Sequence, residues 1–250
     1  MAKQLGISTG SLYTWYEELD DNISIIRGTK LNAVEVVFAS PGQLDQELSQ
    51  DNIDYLKSLD YVSIHAPFLD HLGNDLHYHK DSITHKLLDK LYDWYRKLNA
   101  KALVVHPHLI SNYEIFYGYD FNICIENMPL EKNFSLKEIR NILNHHKNFK
   151  LVVSTSHSLT YEIEHLNEII DEFKDRIQHI QLSDSYYNSL DLLEKNRSQL
   201  ISCKDLSKFL KLRDLNCPMI LESGLHNSRN DLLNLSKEIY CAKKMLGTDG

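Results

Sequence analysis

Nowhere in the 250 residues does an apolar run approach 18 in length, and the first ten, MAKQLGISTG, hold no apolar segment of the kind a secretory signal needs. Neither a membrane span nor export is expected. Cysteine is scarce: Cys124, Cys203, Cys217 and Cys241 stand far apart with no Cys-x-x-Cys pair. That spacing argues against a disulfide framework and fits a reducing compartment, the cytoplasm. Glycine and proline, at 9 and 5 residues, are too few for low-complexity or linker tracts, and no Gly-rich turn of the dinucleotide-binding kind opens the chain. Positive charge is in deficit, 27 Lys and Arg against 35 Asp and Glu for a net −8, so no overall cationic field gathers a polyanion. A nucleic-acid partner is not expected, although a local basic groove stays open.

What is present is a periodic pattern. Eight short apolar, β-branched runs recur at residues 5–9, 33–38, 61–65, 102–106, 121–126, 150–154, 177–182 and 217–222. Helical stretches separate most of them, which is the alternation of a parallel sheet with crossover helices. The clearest helix covers 81–99, where Ile83, Leu87, Leu88, Leu91, Trp94, Tyr95 and Leu98 form one apolar stripe expected to face the sheet. Ser135 and Glu138 are spaced as a capping box, and 232–245 supplies a last helix. The expected fold is α/β, a single (β/α)8 TIM barrel over 1–250. An open doubly wound sheet is the competing architecture. Only 107–120 joins the fourth and fifth strands, so that connection is expected to be short and the wall thin there.

Alternation along each strand also gives its facing. Val62 and Ile64 belong against the helices, which turns Ser63 and His65 into the lumen; the same register turns His106, Glu126 and Glu222 inward. All four stand at the C-terminal ends of strands, where barrel enzymes carry their chemistry. Two carboxylates buried together need protons or cations to neutralise them, and two imidazoles beside them complete a donor set for Zn2+, Mn2+ or Fe2+. His65, His106, Glu126 and Glu222 are therefore candidate metal ligands for about one divalent ion per chain. The alternative is a hydrogen-bonded His/Glu network without metal. Glu35 also points into the lumen, either as a functional carboxylate or paired to a lysine or arginine.

The segments Val34-Glu35-Val36-Val37, Ser63-Ile64-His65-Ala66-Pro67, Val104-Val105-His106-Pro107, Ile125-Glu126-Asn127-Met128-Pro129, Ser154-Thr155-Ser156-His157, His179-Ile180-Gln181-Leu182-Ser183-Asp184 and Leu221-Glu222-Ser223-Gly224 together resemble the xylose isomerase-like barrel superfamily. That superfamily includes endonuclease IV and many sugar or sugar-phosphate isomerases and epimerases, and the likeness runs over nearly the whole chain. In the endonuclease branch the resemblance implies a metal site on His65, His106 and Glu126. A second site, shared with the isomerases, would use Glu126 and Glu222, but Ser154 stands where an Asp is expected and Gln181 where a His is expected. Both are poor ligands for a divalent cation. A third endonuclease site would need His157 and an Asp-x-His in the loop after the seventh strand; residues 185–203 contain no histidine.

The leading expectation is a metal-dependent isomerase or epimerase moving a proton next to the carbonyl of a small sugar or sugar phosphate. Glu222 or Glu35 would be the base, Glu126 would serve the metal and the chemistry, and His157, His108, Gln181 and Asn127 would meet the substrate. An endonuclease IV-like phosphodiesterase acting on abasic DNA is the second expectation, and a diverged barrel that binds a ligand without turnover is the third. His77, His79 and His85 read as solvated, His179 as a hydrogen-bonded core imidazole, His145 and His146 as the end of a helix, and Tyr186 and Tyr187 as residues lining or covering the pocket.

Overall fold

The computed structural model describes residues 4–12, 18–132, 134–184, 200, 203, 205–224 and 231–247. Eight parallel strands, β1 (Leu5–Ser8), β2 (Ala33–Val37), β3 (Tyr61–His65), β4 (Ala102–Val105), β5 (Ile123–Glu126), β6 (Lys150–Ser154), β7 (Ile177–Leu182) and β8 (Met219–Leu221), pair in chain order. β8 pairs back onto β1, closing the barrel. The helices are α1 (Leu19–Gly28), α2 (Gln50–Ser58), α3 (Ser82–Lys97), α4 (Leu136–His145), α5 (Thr155–Leu159), α6 (Ile163–Phe173) and α7 (Asp231–Leu246). No helix among the described residues is long and apolar enough to cross a membrane.

Local sequence explains the helix starts. The Asp81 carboxylate accepts from the Thr84 backbone N–H at 2.8 Å and begins α3. The Glu138 carboxylate reaches back to the Ser135 backbone N–H at 2.6 Å, beginning α4 at the expected capping box. Ile83 departs from its expected place on the apolar stripe and is 78% exposed. It sits in the first turn of α3; Leu88, Leu91, Trp94 and Leu98 carry the packing.

The two faces of each strand separate cleanly. Val34, Val36, Val62, Ile64, Leu103, Val105 and their counterparts pack with the helices in the large core between the layers. Ala33, Tyr61, Ala102, Val104, Cys124, Val152 and Ile220 form a second, smaller cluster inside the lumen. The lumen is thus filled by packed side chains. Between β4 and β5 only short 3-10 turns at Pro107–Leu109 and Tyr113–Phe116 are found. Aromatic rings cover that thin wall: Tyr92 and Tyr95 of α3 each meet Phe121 at 5.2 Å, and Tyr113 meets Phe149 at 5.8 Å.

Gly6 shows how tightly β1 and β2 approach. A Cβ there would fall 2.4 Å from the Ala33 carbonyl oxygen and 2.6 Å from its carbon, both backbone atoms. Gly6→Ala is expected to destabilise the barrel by about 2–3 kcal/mol, since the strands must part to admit a methyl group. A thermal melt checks this, and an unchanged melting temperature would show that the strand spacing is not as described.

Candidate metal centre

β3, β4 and β5 are neighbours in the wall, so their C-terminal ends deliver His65, His106 and Glu126 to one point at the mouth. Glu126 is fully buried, and its Oε2 lies 3.1 Å from His65 Nε2 and 3.3 Å from His106 Nε2. His157, at the first turn after β6, places Nδ1 3.0 Å from the other oxygen, Oε1. The three imidazoles hold the Glu126 carboxyl well below the usual range: burial alone would raise it, and the close polar approach of His106, His157 and His65 outweighs that.

The two strand-end imidazoles differ. Burial pulls His106 down to about 4, with Glu126 only partly compensating, so this ring is neutral at ordinary pH. His65 is buried as well, but its hydrogen bond to Glu126 and the charges of Glu126, Glu35 and Glu222 outweigh burial and raise it above 6.5.

The donors fit a divalent cation. His65 Nδ1 donates to the Ala66 carbonyl at 2.9 Å, which fixes the ring and leaves Nε2 as its ligand atom, the arrangement usual for metal-binding imidazoles. His106 Nε2 is buried and has no hydrogen-bond partner among the described residues. One ligand atom from each of His65, His106 and Glu126 lies within 4.8 Å of the others. Ligand atoms about 2.0–2.1 Å from a tetrahedral ion stand roughly 3.3 Å apart, and the two Glu126–imidazole separations of 3.1 and 3.3 Å match that spacing. Three protein ligands leave a position for substrate, and mixed N/O donors suit Zn2+, Mn2+ or Fe2+.

Glu222 was expected as a fourth ligand. It is buried beside the site and its charge acts on His65, but it stands outside the 4.8 Å group. Glu35 has a different setting from the lysine or arginine pairing considered above: its described partners are the Ser63 hydroxyl at 3.1 Å, His179 Nε2 at 3.0 Å and Gln181 Nε2 at 2.9 Å. Because an ionised carboxylate only accepts, His179 Nε2 carries the hydrogen there, and its Nδ1 lies 2.8 Å from the Tyr61 hydroxyl oxygen. His179 is therefore the core imidazole expected of it.

Gln181 points its amide nitrogen at Glu35 and keeps a buried Oε1 with no hydrogen-bond partner among the described residues. The Ser154 hydroxyl lies 3.2 Å from that of Ser156. Asn127 uses its amide on the chain itself, accepting from the Ser154 N–H at 2.6 Å and donating to the Ser154 carbonyl at 3.2 Å and the Ser158 hydroxyl at 3.0 Å. His108 stacks on His106 with ring centroids 5.7 Å apart. His77, His79 and His85 are exposed. Tyr186 and Tyr187 lie outside the described residues. Phe68, not anticipated, wedges against both strand-end imidazoles, 5.4 Å from His65 and 5.1 Å from His106; its place three residues after His65 was the available signal.

No curated protein sequence matches the chain. Among solved structures, AsfvAP, determined as AsfvAP:AG, superposes over 98% of this chain and 100% of its own with a TM-score of 0.67 at 15% identity. A D-tagatose 3-epimerase-like protein superposes over 99% and 100%, with a TM-score of 0.65 at 19% identity. D-allulose 3-epimerase from Methylomonas sp. superposes over 98% of each chain, with a TM-score of 0.65 at 15% identity. At such identities the likeness establishes the barrel and no more. Residues 113–241, just over half of the sequence, match the family described as xylose isomerase-like TIM barrel, and the chain belongs to that family.

Proposed function

We propose that the protein is a divalent-metal-dependent isomerase or epimerase acting on a small sugar or sugar phosphate. The observation that carries this reading is a buried carboxylate, Glu222, standing beside but outside the His65, His106 and Glu126 group at the mouth of the barrel. The family and the two sugar-epimerase-type neighbours support it. When bound, the cation supplies an electrophile for the substrate's oxygens.

The residues then divide the work. Glu222 removes the proton from the carbon next to the carbonyl: the C–H pair becomes the enolate's C=C bond, the carbonyl π pair moves to the oxygen, and the proton rests on the carboxylate until it is returned. Glu35 is the weaker candidate for base, because three donors engage it and keep its carboxyl below 4.5 although burial opposes this. His157, half-buried beside Glu126, orients a substrate hydroxyl. Gln181 Oε1 accepts from a second hydroxyl, and His108 meets the substrate at the rim. Asn127 serves the substrate by holding the β5 and β6 ends in place.

Solvent exchange tests the assignment. Metal-loaded protein incubated with a panel of ketoses and ketose phosphates in D2O is expected to incorporate deuterium beside the carbonyl, followed by NMR. Glu222→Gln should slow that exchange by about 100-fold or more, the usual scale of general-base catalysis, with metal content unchanged. Exchange at the wild-type rate in this variant would remove Glu222 from the role, and lost metal would make it a ligand instead.

One observation favours a second reading. The complete His65, His106 and Glu126 set is the one that the endonuclease resemblance implies, whereas the isomerase-type set is interrupted at Ser154 and Gln181. Nicking of an abasic duplex, lost in His106→Ala, with no deuterium exchange into any sugar, would put phosphodiester hydrolysis first.

A further inference from the structure

Three successive loops on the catalytic face meet just outside the metal centre. Asp75, in the loop after β3, receives Lys132 Nζ on both carboxylate oxygens, at 2.8 and 3.1 Å, from the turn after β5. His108, in the turn after β4, brings Nε2 to 3.6 Å from Asp75 Oδ2, too far for a hydrogen bond. Neither ring nitrogen of His108 has a hydrogen-bond partner among the described residues, although both are buried. A lysine and an imidazole thus converge on an oxyanion that the protein supplies from its own chain, and that oxyanion satisfies only the lysine.

The Asp75–Lys132 pair is loosely held in energetic terms. Asp75 is 44% and Lys132 33% exposed, and a solvated ion pair of this kind contributes little to stability. A group with more charge and more acceptor oxygens can take Lys132 from it. The position also suits a substrate: His108 stacks on His106, whose Nε2 belongs to the metal group, so one imidazole separates the two points. A small molecule can reach both.

We propose that Lys132 and His108 form a subsite for the phosphate monoester of a phosphorylated substrate, and that Asp75 is an internal placeholder which the phosphate displaces. The inference rests on the reading of the mouth as a sugar-type active site and narrows its substrate to the phosphorylated class. A phosphate offers three acceptor oxygens in a tetrahedral spread, enough to engage the lysine and the imidazole N–H together. A carboxylate fixed to the backbone at Asp75 reaches one of them.

Inorganic phosphate is the probe. Its binding to the metal-loaded wild type, Lys132→Met and Asp75→Asn proteins is measured by calorimetry at constant ionic strength, with metal content determined on each sample. Lys132→Met is expected to weaken phosphate at least fivefold and Asp75→Asn to tighten it at least threefold, with metal content the same in all three. Phosphate affinity unmoved by either substitution, or weakened by Asp75→Asn, would overturn the subsite. So would binding that disappears in Glu126→Gln and persists in Lys132→Met, since the phosphate would then sit on the metal. Protein without metal that still shows the expected phosphate pattern would sink the proposed function and leave the subsite standing.

Discussion

Glu126→Gln is expected to empty the metal centre: wild-type protein purified without chelators should carry about one divalent ion per chain and the variant less than about a tenth of that. The substitution keeps size and shape but replaces an anion that three imidazoles face at 3.0, 3.1 and 3.3 Å with a neutral amide. Changes to groups that merely support metal ligands already lower affinity about 10–100-fold, so losing the charged ligand itself should exceed that range. Elemental analysis after dialysis decides the matter, and unchanged metal content would remove the proposed centre. The pH dependence follows from the same geometry. In metal-free protein, Glu126, lowered from 4.5, stabilises the fold above that value and loses its contribution as pH falls through its folded pKa. His65, raised from 6.5, contributes fully below 6.5 and loses its contribution as pH rises through its folded pKa. The metal-free wild type should therefore exceed Glu126→Gln in stability most clearly between pH 4.5 and 6.5. Metal affinity should climb as pH rises further, because the ion competes with the proton on His65.

The inward register of His65, His106 and Glu126 is legible in the sequence because a strand alternates its faces with a period of two. Large aliphatics such as Ile64, Val105 and Ile125 fix which face meets the helices. Adjacency of β3, β4 and β5 follows from chain order in a closed barrel, so the convergence of these three could be read without distances. What could not be read are contacts made across the lumen or between loops. Glu35 on β2 meets His179 and Gln181 on β7, strands that are not neighbours in the wall, and alternation says nothing about which side chains reach across. A charged partner was therefore the natural guess, and the observed partners are an imidazole, an amide and a hydroxyl. Facing alone also does not separate Glu222 from the His65, His106 and Glu126 group, since all four turn inward. Asp75 and Lys132 lie 57 residues apart in loops with no periodicity at all.

Glu35→Ala is expected to be among the most destabilising single substitutions in the chain. The carboxylate is completely buried and accepts from Ser63, His179 and Gln181 at 2.9–3.1 Å, while His179 in turn holds Tyr61, so one anion organises side chains from β2, β3 and β7. Removing it strands three buried donors, each carrying a penalty of about 1–3 kcal/mol, and breaking a buried charged network typically costs about 3–5 kcal/mol in total. For a barrel of this length that corresponds to a fall in Tm of about 6–10 °C, read in a thermal melt. Glu35→Gln separates charge from shape. The folded carboxyl is held below 4.5 because the bonds and charges of His179, His65 and Gln181 outweigh the opposing effect of burial, so its contribution is present above pH 4.5 and lost as pH falls through the folded value. The gap between wild type and Glu35→Gln should therefore be widest at neutral pH and close in acid. A Glu35→Ala protein that melts with the wild type would show that the network is ornamental and return Glu35 to candidacy as a base. A large loss of stability with deuterium exchange retained in the surviving folded fraction would make Glu35 the strut that holds the lumen and leave the proton chemistry to Glu222.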